Sequence, residues 1–304
     1  FVSQYDTFTD VRERLIPLLA DIDGFDALAK QKKYISNVKS GKYQIKKGMN
    51  NNEIINSIRS NSIPVKLSFN NQDSPEALAG RIATQIEPDS LSLLKAMNNP
   101  VFLEKAGLKE ETVLGMYLPN SYQVFWNISA DDLVNKMQKE YNKFWNADRE
   151  AKAKLLNFSR DEVMALASIV YEESKQKTEQ PRVAGVYINR LKIGMPLQAD
   201  PTLKFVAYKL PKYKNTVIRR VLNVHKEIDS PYNTYKYAGL PPGLVTMPDL
   251  SAIDAVLNYE KHNYLYFAAD PKKIGYHRFA KSLNQHNNNA RAYHKYLDKE
   301  GIRK

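Results

Sequence analysis

Ser159 and Glu162 stand three residues apart, just ahead of an apolar run that closes on Tyr171-Glu172-Glu173-Ser174. That spacing is a capping box: the serine hydroxyl serves the N3 amide and the glutamate reaches back to the N-cap amide. A helix is therefore expected to start there. Within it Leu166, Ile169, Val170 and Glu173 follow the i, i+3, i+4, i+7 rhythm and share one face. An apolar face has to be buried against another element, so the fold must draw the carboxylate at the end of that face away from bulk water. Burial disfavours the charged form and raises the pKa. A carboxylic acid that keeps its proton near neutral pH is what a general acid requires. Glu172 points about 100° away, on the solvated side. On these residues alone two roles are open to Glu173: a proton donor, or a helix-end carboxylate that caps or pairs with a basic neighbour.

The 304 residues suffice for a sizeable core and two domains. No run approaches the roughly 18 apolar residues of a membrane span, and Phe1 opens directly into polar sequence rather than a signal peptide. The net charge of +12 favours polyanionic partners such as nucleic acid, anionic lipid head groups or an acidic wall polymer. The charge is spread along the chain in short clusters (Lys30 to Lys33, Lys46–Lys47, Arg219–Arg220), and no nucleic-acid-binding motif accompanies it. Cysteine is absent, which excludes disulfides, Cys–Zn sites and thiol nucleophiles.

Residues 1–65 read as a small α+β unit. It holds a short strand at Phe1 to Tyr5, helices near Val11–Ala20 and Phe25–Lys32, a glycine-bracketed strand from Gly41 to Gly48, and a helix capped by Asn51 or Asn52. Pro64 is expected to end it. Val65–Phe69 alternates like a strand, and Pro75 suits the first turn of a helix to about Gln85. Further helices are expected over 89–98, 100–106, 131–144, 147–156, 181–191 and 282–299, with a buried strand at Tyr264–Ala269. Phosphate-loop, dinucleotide, zincin and nucleophile-elbow motifs are all missing. The five histidines fit no standard zinc spacing, so no metal and no cofactor is expected.

Three polar clusters follow the Glu173 helix. The first runs from Asn189-Arg190 to Gln198-Ala-Asp200-Pro-Thr202; Asp200, preceding a proline, is expected in extended or turn geometry. The second is Ser230-Pro-Tyr-Asn233-Thr234-Tyr235 with Gly239-Leu-Pro-Pro-Gly243, a stiff loop whose ring and amide groups suit sugars. The third joins Tyr264 to Phe267, His277-Arg-Phe279 and His286-Asn287. Taken singly, each also reads as ordinary turn or core structure.

As an ordered set these segments resemble the YceG-like family of endolytic murein (lytic) transglycosylases. The resemblance is carried by Leu166-Ala-Ser-Ile-Val170 with Glu173, Gly185-Val-Tyr-Ile-Asn-Arg-Leu191, Gly194-Met-Pro-Leu-Gln-Ala-Asp-Pro-Thr202, Ser230–Tyr235, Gly239–Gly243, Tyr264–Phe267 and His286-Asn287. It runs from about residue 65 to the end, and Gly41-Lys-Tyr-Gln-Ile with Lys47-Gly-Met49 resembles the LysM-like unit that precedes the catalytic domain in this family. The implied organisation is α+β throughout: a LysM-like N-terminal domain over 1–65, then a larger mixed α+β catalytic domain over 66–304, with a core at about 156–304.

The resemblance makes Glu173 the catalytic residue. Many members carry two acidic residues there, spaced by one; here Tyr171 fills the first position, so only Glu173 keeps the match. Gln198, Asp200, Asn233, Thr234, Tyr235, Tyr266, His277, His286 and Asn287 are then expected to bind substrate. The implied reaction is cleavage of the MurNAc–GlcNAc bond inside peptidoglycan glycan strands, giving 1,6-anhydro-MurNAc ends. A non-catalytic peptidoglycan-binding or scaffold protein is the alternative. The resemblance also implies a cell-envelope location facing outward from the inner membrane, through an N-terminal anchor that this sequence does not include. Peptidoglycan-synthesis proteins are plausible partners on that basis, and nucleic acid is not expected.

Overall fold

The computed structural model describes residues 1–213, 216–218 and 220–300, so Arg219 of the basic pair lies outside it. The fold is α+β, mostly helical, with two small antiparallel sheets. The chain divides into two compact units, one of residues 1–70, 75–99 and 120–136, the other of 71–74, 100–119 and 137–304.

In the first unit α1 (Phe8–Leu15), α2 (Ile22–Gln31) and α3 (Asn51–Ser60) enclose Phe25, Ala29, Tyr34, Ile54, Ile55 and Ile58. The cap of α3 is Asn50, not Asn51 or Asn52, because only Asn50 places Glu53 at N3 and closes a capping box. The strand expected over Gly41–Gly48 shrinks to one antiparallel bridge between Gly41 and Val2. Beyond that bridge the Lys42 carbonyl accepts from the Ile63 amide, and Tyr43 and Ile45 settle against the helices instead. Pro64 opens a strand rather than ending the unit: β1 (Pro64–Phe69) pairs with β2 (Asn120–Phe125), Leu67 opposite Tyr122. Proline is tolerated at a strand's first residue. α4 (Pro75–Ala83) and α5 (Ser90–Met97) complete this unit.

α6 (Pro100–Ala106) belongs to the second unit, and α7 (Ala130–Phe144) contributes residues to both. The second unit continues with α8 (Ala147–Leu155), α9 (Arg160–Glu173), α10 (Gln180–Lys192), α11 (Asp200–Tyr208), α12 (Asn223–Lys226) and α13 (Leu250–Leu257). It closes with β3 (Tyr266–Ala269), β4 (His277–Ala280) and α14 (Leu283–Lys299). α9 is its central post. The Ser159–Glu162 capping box forms, and every residue from Val163 to Val170 is buried, a wider apolar surface than the single stripe in the sequence. α8, α10, α11 and α13 all pack on it. The one polar side chain in that stretch, Ser168, is satisfied: its hydroxyl donates to the Ala165 carbonyl at 2.7 Å and accepts from the Val245 amide at 3.1 Å.

Gly185 explains how α10 comes so close to the chain ahead of β3. A Cβ there would lie 2.5 Å from the Glu260 carbonyl oxygen and 2.7 Å from His262 Nε2. Asn189, one turn on, donates to the carbonyls of His262 and Tyr264 at 2.7 and 3.0 Å. β3 begins at Tyr266, later than expected, and is half-buried; it pairs with β4 so that Ala269 faces His277. Among the described residues no helix is long and apolar enough to cross a membrane.

Candidate active site

Glu173 is the last residue of α9 and is half-buried. Its Oε1 accepts a 2.7 Å hydrogen bond from the Tyr187 hydroxyl, offered from the buried face of α10. Among the described residues no lysine or arginine forms an ion pair with it. Burial pushes its carboxyl up to about 7, and the negative charge of Asp200 adds to that. The Tyr187 hydrogen bond and the charges of His277 and Lys204 work the other way. The neighbouring Glu172 is exposed and bound to Lys175 at 2.7 Å. Tyr171, where a second acid was the family expectation, packs its ring 3.4 Å from the Lys175 ammonium.

Asp200 is the first residue of α11, not extended or in a turn. Pro201 pre-sets a helical φ for the first turn, and a carboxylate there complements the helix dipole. Asp200 Oδ1 accepts from the Tyr235 hydroxyl at 2.6 Å. Burial and this bond both raise the Tyr235 pKa, so the phenol stays protonated. Thr234 and Asn233 hold that partnership together from inside. The Thr234 hydroxyl accepts from the Ala199 amide at 3.0 Å and lies 2.9 Å from the Thr202 hydroxyl, and its carbonyl accepts from the Gln198 amide at 2.9 Å. Asn233 is fully buried; its amide donates to the Lys226 and Ile228 carbonyls and its oxygen accepts from the Tyr235 amide. Gln198 adopts a positive φ of 49° and its side chain is exposed.

His277 opens β4 and is clamped by Glu179, which is 5% exposed. The His277 amide donates to Glu179 Oε1 at 2.8 Å, and its Nδ1 lies 2.8 Å from Oε2. The Ser174 hydroxyl donates to the same carboxylate at 3.1 Å. Burial opposes charge on Glu179, but these bonds outweigh it and hold the group below its ordinary value. With Nδ1 committed to Glu179, Nε2 is the imidazole's remaining nitrogen. Phe267 packs edge-on against both His277, at 5.0 Å, and Tyr187, at 5.9 Å.

Tyr266 stacks on His286 at 5.4 Å and lies under the Arg190 guanidinium at 5.2 Å. Arg190 is nearly buried and spends its donors on the carbonyls of Leu265, Pro196 and Leu197. It thus ties β3 to the loop that carries Gln198. Burial and Arg190 lower the His286 pKa. Asn287 sits on the exposed side of α14. The structure therefore gathers Glu173, Asp200, Tyr235 and His277 into one electrostatic cluster, with Tyr266 and His286 forming a separate stack. Asn233 and Thr234 serve internal bonds. Tyr187 and Glu179 are the residues of this cluster that sequence reasoning did not single out; Arg190 was named in the first polar cluster without a role. For Tyr187 a signal existed, since Val183, Val186, Tyr187 and Arg190 follow a helical face. Among the described residues no group of three or more His, Cys, Asp or Glu side chains gathers as a metal site would require.

The cluster thus holds one poorly hydrated acid, a tyrosine-bound carboxylate and a clamped imidazole, a set able to hold or release a proton near neutral pH. The chain belongs to the YceG-like family, whose sequence model matches residues 2–292. It is similar to the endolytic murein transglycosylase of Bacillus subtilis, with 30% identity over 281 residues, covering 86% of this chain and 74% of that protein. It is also similar to the endolytic murein transglycosylase of Streptococcus pneumoniae D39, with 26% identity over 273 residues, covering 81% of this chain and 49% of that protein. Its fold is shared with a YceG-like protein of Listeria monocytogenes solved by crystallography, at 25% identity and a TM-score of 0.62, covering 94% and 96% of the two chains.

Proposed function

We propose that this chain is an endolytic murein transglycosylase that cuts the MurNAc–GlcNAc bond within peptidoglycan glycan strands and leaves 1,6-anhydro-MurNAc ends. The observation that carries the reading is Glu173: half-buried, in no ion pair with a lysine or arginine among the described residues, and poised at about 7. Such a group gives and takes a proton at neutral pH. The names of the family's relatives support the same reading. Ordinary glycosidases need a second carboxylate to activate water or to attack C1. Here Asp200 is bound to Tyr235, which suits it to orient the sugar and to supply negative charge near an oxocarbenium-like state.

In this mechanism Glu173 protonates the bridging oxygen as the C1–O bond breaks and the electron pair leaves with that oxygen. The Glu173 carboxylate then takes the proton of the muramoyl C6 hydroxyl as O6 bonds to C1. No water is consumed, and the nucleophile is intramolecular, so a high effective molarity replaces a bound one. Gln198, Tyr235 and the Tyr266–His286 stack are the proposed sugar contacts, with Asn287 at the rim. Asn233 and Thr234 support them from within.

Residues 1–65 are proposed to be a LysM-like unit and 66–304 the catalytic part. The setting is the cell envelope, with peptidoglycan as substrate and the synthesis machinery as a candidate partner. The positive charge fits an acidic wall polymer or lipid head groups. The test is digestion of isolated or nascent glycan with mass spectrometry of the products. Anhydro ends are expected from the native protein, and Glu173→Gln should lose at least about a hundredfold in rate while still binding glycan. Abundant anhydro product from purified Glu173→Gln would refute the assignment; no product from the native protein on any glycan would favour a purely wall-binding role.

A further inference from the structure

The two oxygens of Glu173 are not equivalent. Oε1 faces the Tyr187 hydroxyl at 2.7 Å, and among the described residues that hydroxyl has no other hydrogen-bond partner. Tyr187 is 2% exposed and packed edge-on against Phe267, so its ring has no room to turn the hydroxyl elsewhere. Burial and the nearby Glu173 charge hold the phenol far above its ordinary range, so it is a donor at every working pH. Were the Glu173 proton on Oε1, the phenol would donate to the poorer acceptor, a carboxylic hydroxyl oxygen, or turn acceptor and leave its own hydrogen buried without a partner; with the proton on Oε2 it donates to the stronger carbonyl oxygen.

We propose that Tyr187 is a positioning residue that keeps the reactive proton of Glu173 on Oε2, with Oε1 always an acceptor. Resting on the transglycosylase reading above, this assigns each oxygen a task. Oε2 gives its proton to the bridging oxygen as C1–O breaks and takes one back from the C6 hydroxyl as O6–C1 forms. Oε1 stays fixed through both steps, so the carboxylate need not rotate between acid and base roles. The other groups acting on Glu173 are Asp200 and Lys204 from α11 and His277 from β4, together with Arg190 of α10 and Tyr235. On α13, Asp254 is engaged by Arg149 and Asp249 caps its own helix. None of these donates a hydrogen bond to Glu173, so the effect of Tyr187 is separable.

The experiment uses the full chain. Glu173 is titrated by carbon NMR of 13C-labelled glutamate, its signal assigned by absence in Glu173→Gln, and pH profiles of kcat and KM are taken on glycan. Tyr187→Phe keeps the ring but removes the donor, and should move the Glu173 midpoint and the kcat profile upward by about one pH unit. We expect kcat to fall about tenfold and KM to stay within about twofold, since the lost interaction acts on chemistry rather than on sugar binding. 3,5-Difluorotyrosine at position 187, a stronger donor of nearly the same shape, should move the midpoint down; this arm stands even if Tyr187→Phe folds poorly. A midpoint unmoved by both changes would overturn the proposal, whatever happens to kcat. The outcomes are distinguishable from failure of the parent reading: a native protein that yields no anhydro product sinks the transglycosylase assignment, while the NMR titration still decides whether Tyr187 governs the carboxyl.

Discussion

Glu173 imposes a pH-dependent stability penalty that can be measured without any substrate. Its pKa rises from 4.5 to about 7 on folding, chiefly through burial. Below pH 4.5 the folded and unfolded states both hold the proton and the group is neutral in the balance. Between 4.5 and about 7 the folded state keeps a proton that the unfolded state has released, so stability declines as pH rises through this window. Above about 7 both states are ionised and the folded state carries the whole unfavourable term. At 1.36 kcal/mol per unit, this shift corresponds to about 3 kcal/mol. Glu173→Gln keeps an oxygen for the Tyr187 hydroxyl and removes the titration. Relative to the native protein it should gain about 3 kcal/mol between pH 4.5 and pH 8, which for a chain of this size is a Tm difference of about 6 °C. Differential scanning calorimetry of the two proteins at both pH values is the assay. If the Tm difference is the same at both, Glu173 is not desolvated, and the general-acid argument loses its physical basis.

Two structural supports of the site can be probed in the same way. Glu179→Ala leaves the Ser174 hydroxyl and two His277 nitrogens without their buried acceptor; it should lower stability by about 3 kcal/mol and cut kcat/KM, as read by urea unfolding and glycan turnover. Gly185→Ala drives a methyl to within 2.5 Å of the Glu260 carbonyl, and separation of α10 from that chain should cost about 1–3 kcal/mol, seen as a lower midpoint in thermal denaturation.

The helices were readable because their information is local. The Ser159–Glu162 box, Pro75 in a first turn and the i, i+3, i+4 stripe of α9 each act over a few residues, and each formed where expected. The misses are long-range. Pro64 signals a boundary by itself but begins a strand because β2, more than fifty residues on, supplies the partner; the alternation of buried Tyr122 and Val124 with exposed Ser121 and Gln123 was the available cue. Gly41–Gly48 has a strand's composition, but among the described residues no partner strand pairs with it beyond the bridge to Val2. At the site, Glu173, Asp200, Tyr235 and His277 were legible as residue types beside one another in a motif set. Which of them touch was not. Tyr187 meets Glu173 only because α10 folds back along α9, and Glu179 meets His277 only because β4 returns from a hairpin 98 residues further on.

That distinction bears on the proposal that a single acid does both halves of the reaction. Position alone cannot set a carboxyl near neutrality, since burial of Glu173 with no counterweight would favour the protonated form further and leave too little base for the second half of the proposed reaction. Burial and the charge of Asp200 push the proton on; the Tyr187 hydroxyl, His277 and Lys204 pull it off. The opposing groups sit on three separate pieces of chain, α10, α11 and β4, around Glu173 at the end of α9. Asp200 can go on contributing charge because Tyr235 supplies it with a neutral donor rather than a cation, which leaves its negative charge uncancelled by that partner. An ion-paired Asp200 would relax the smaller part of the upward push on Glu173, the larger part coming from burial. The neutral tyrosine on each carboxylate is thus the feature that, in the proposed mechanism, would let one group serve in turn as acid and as base.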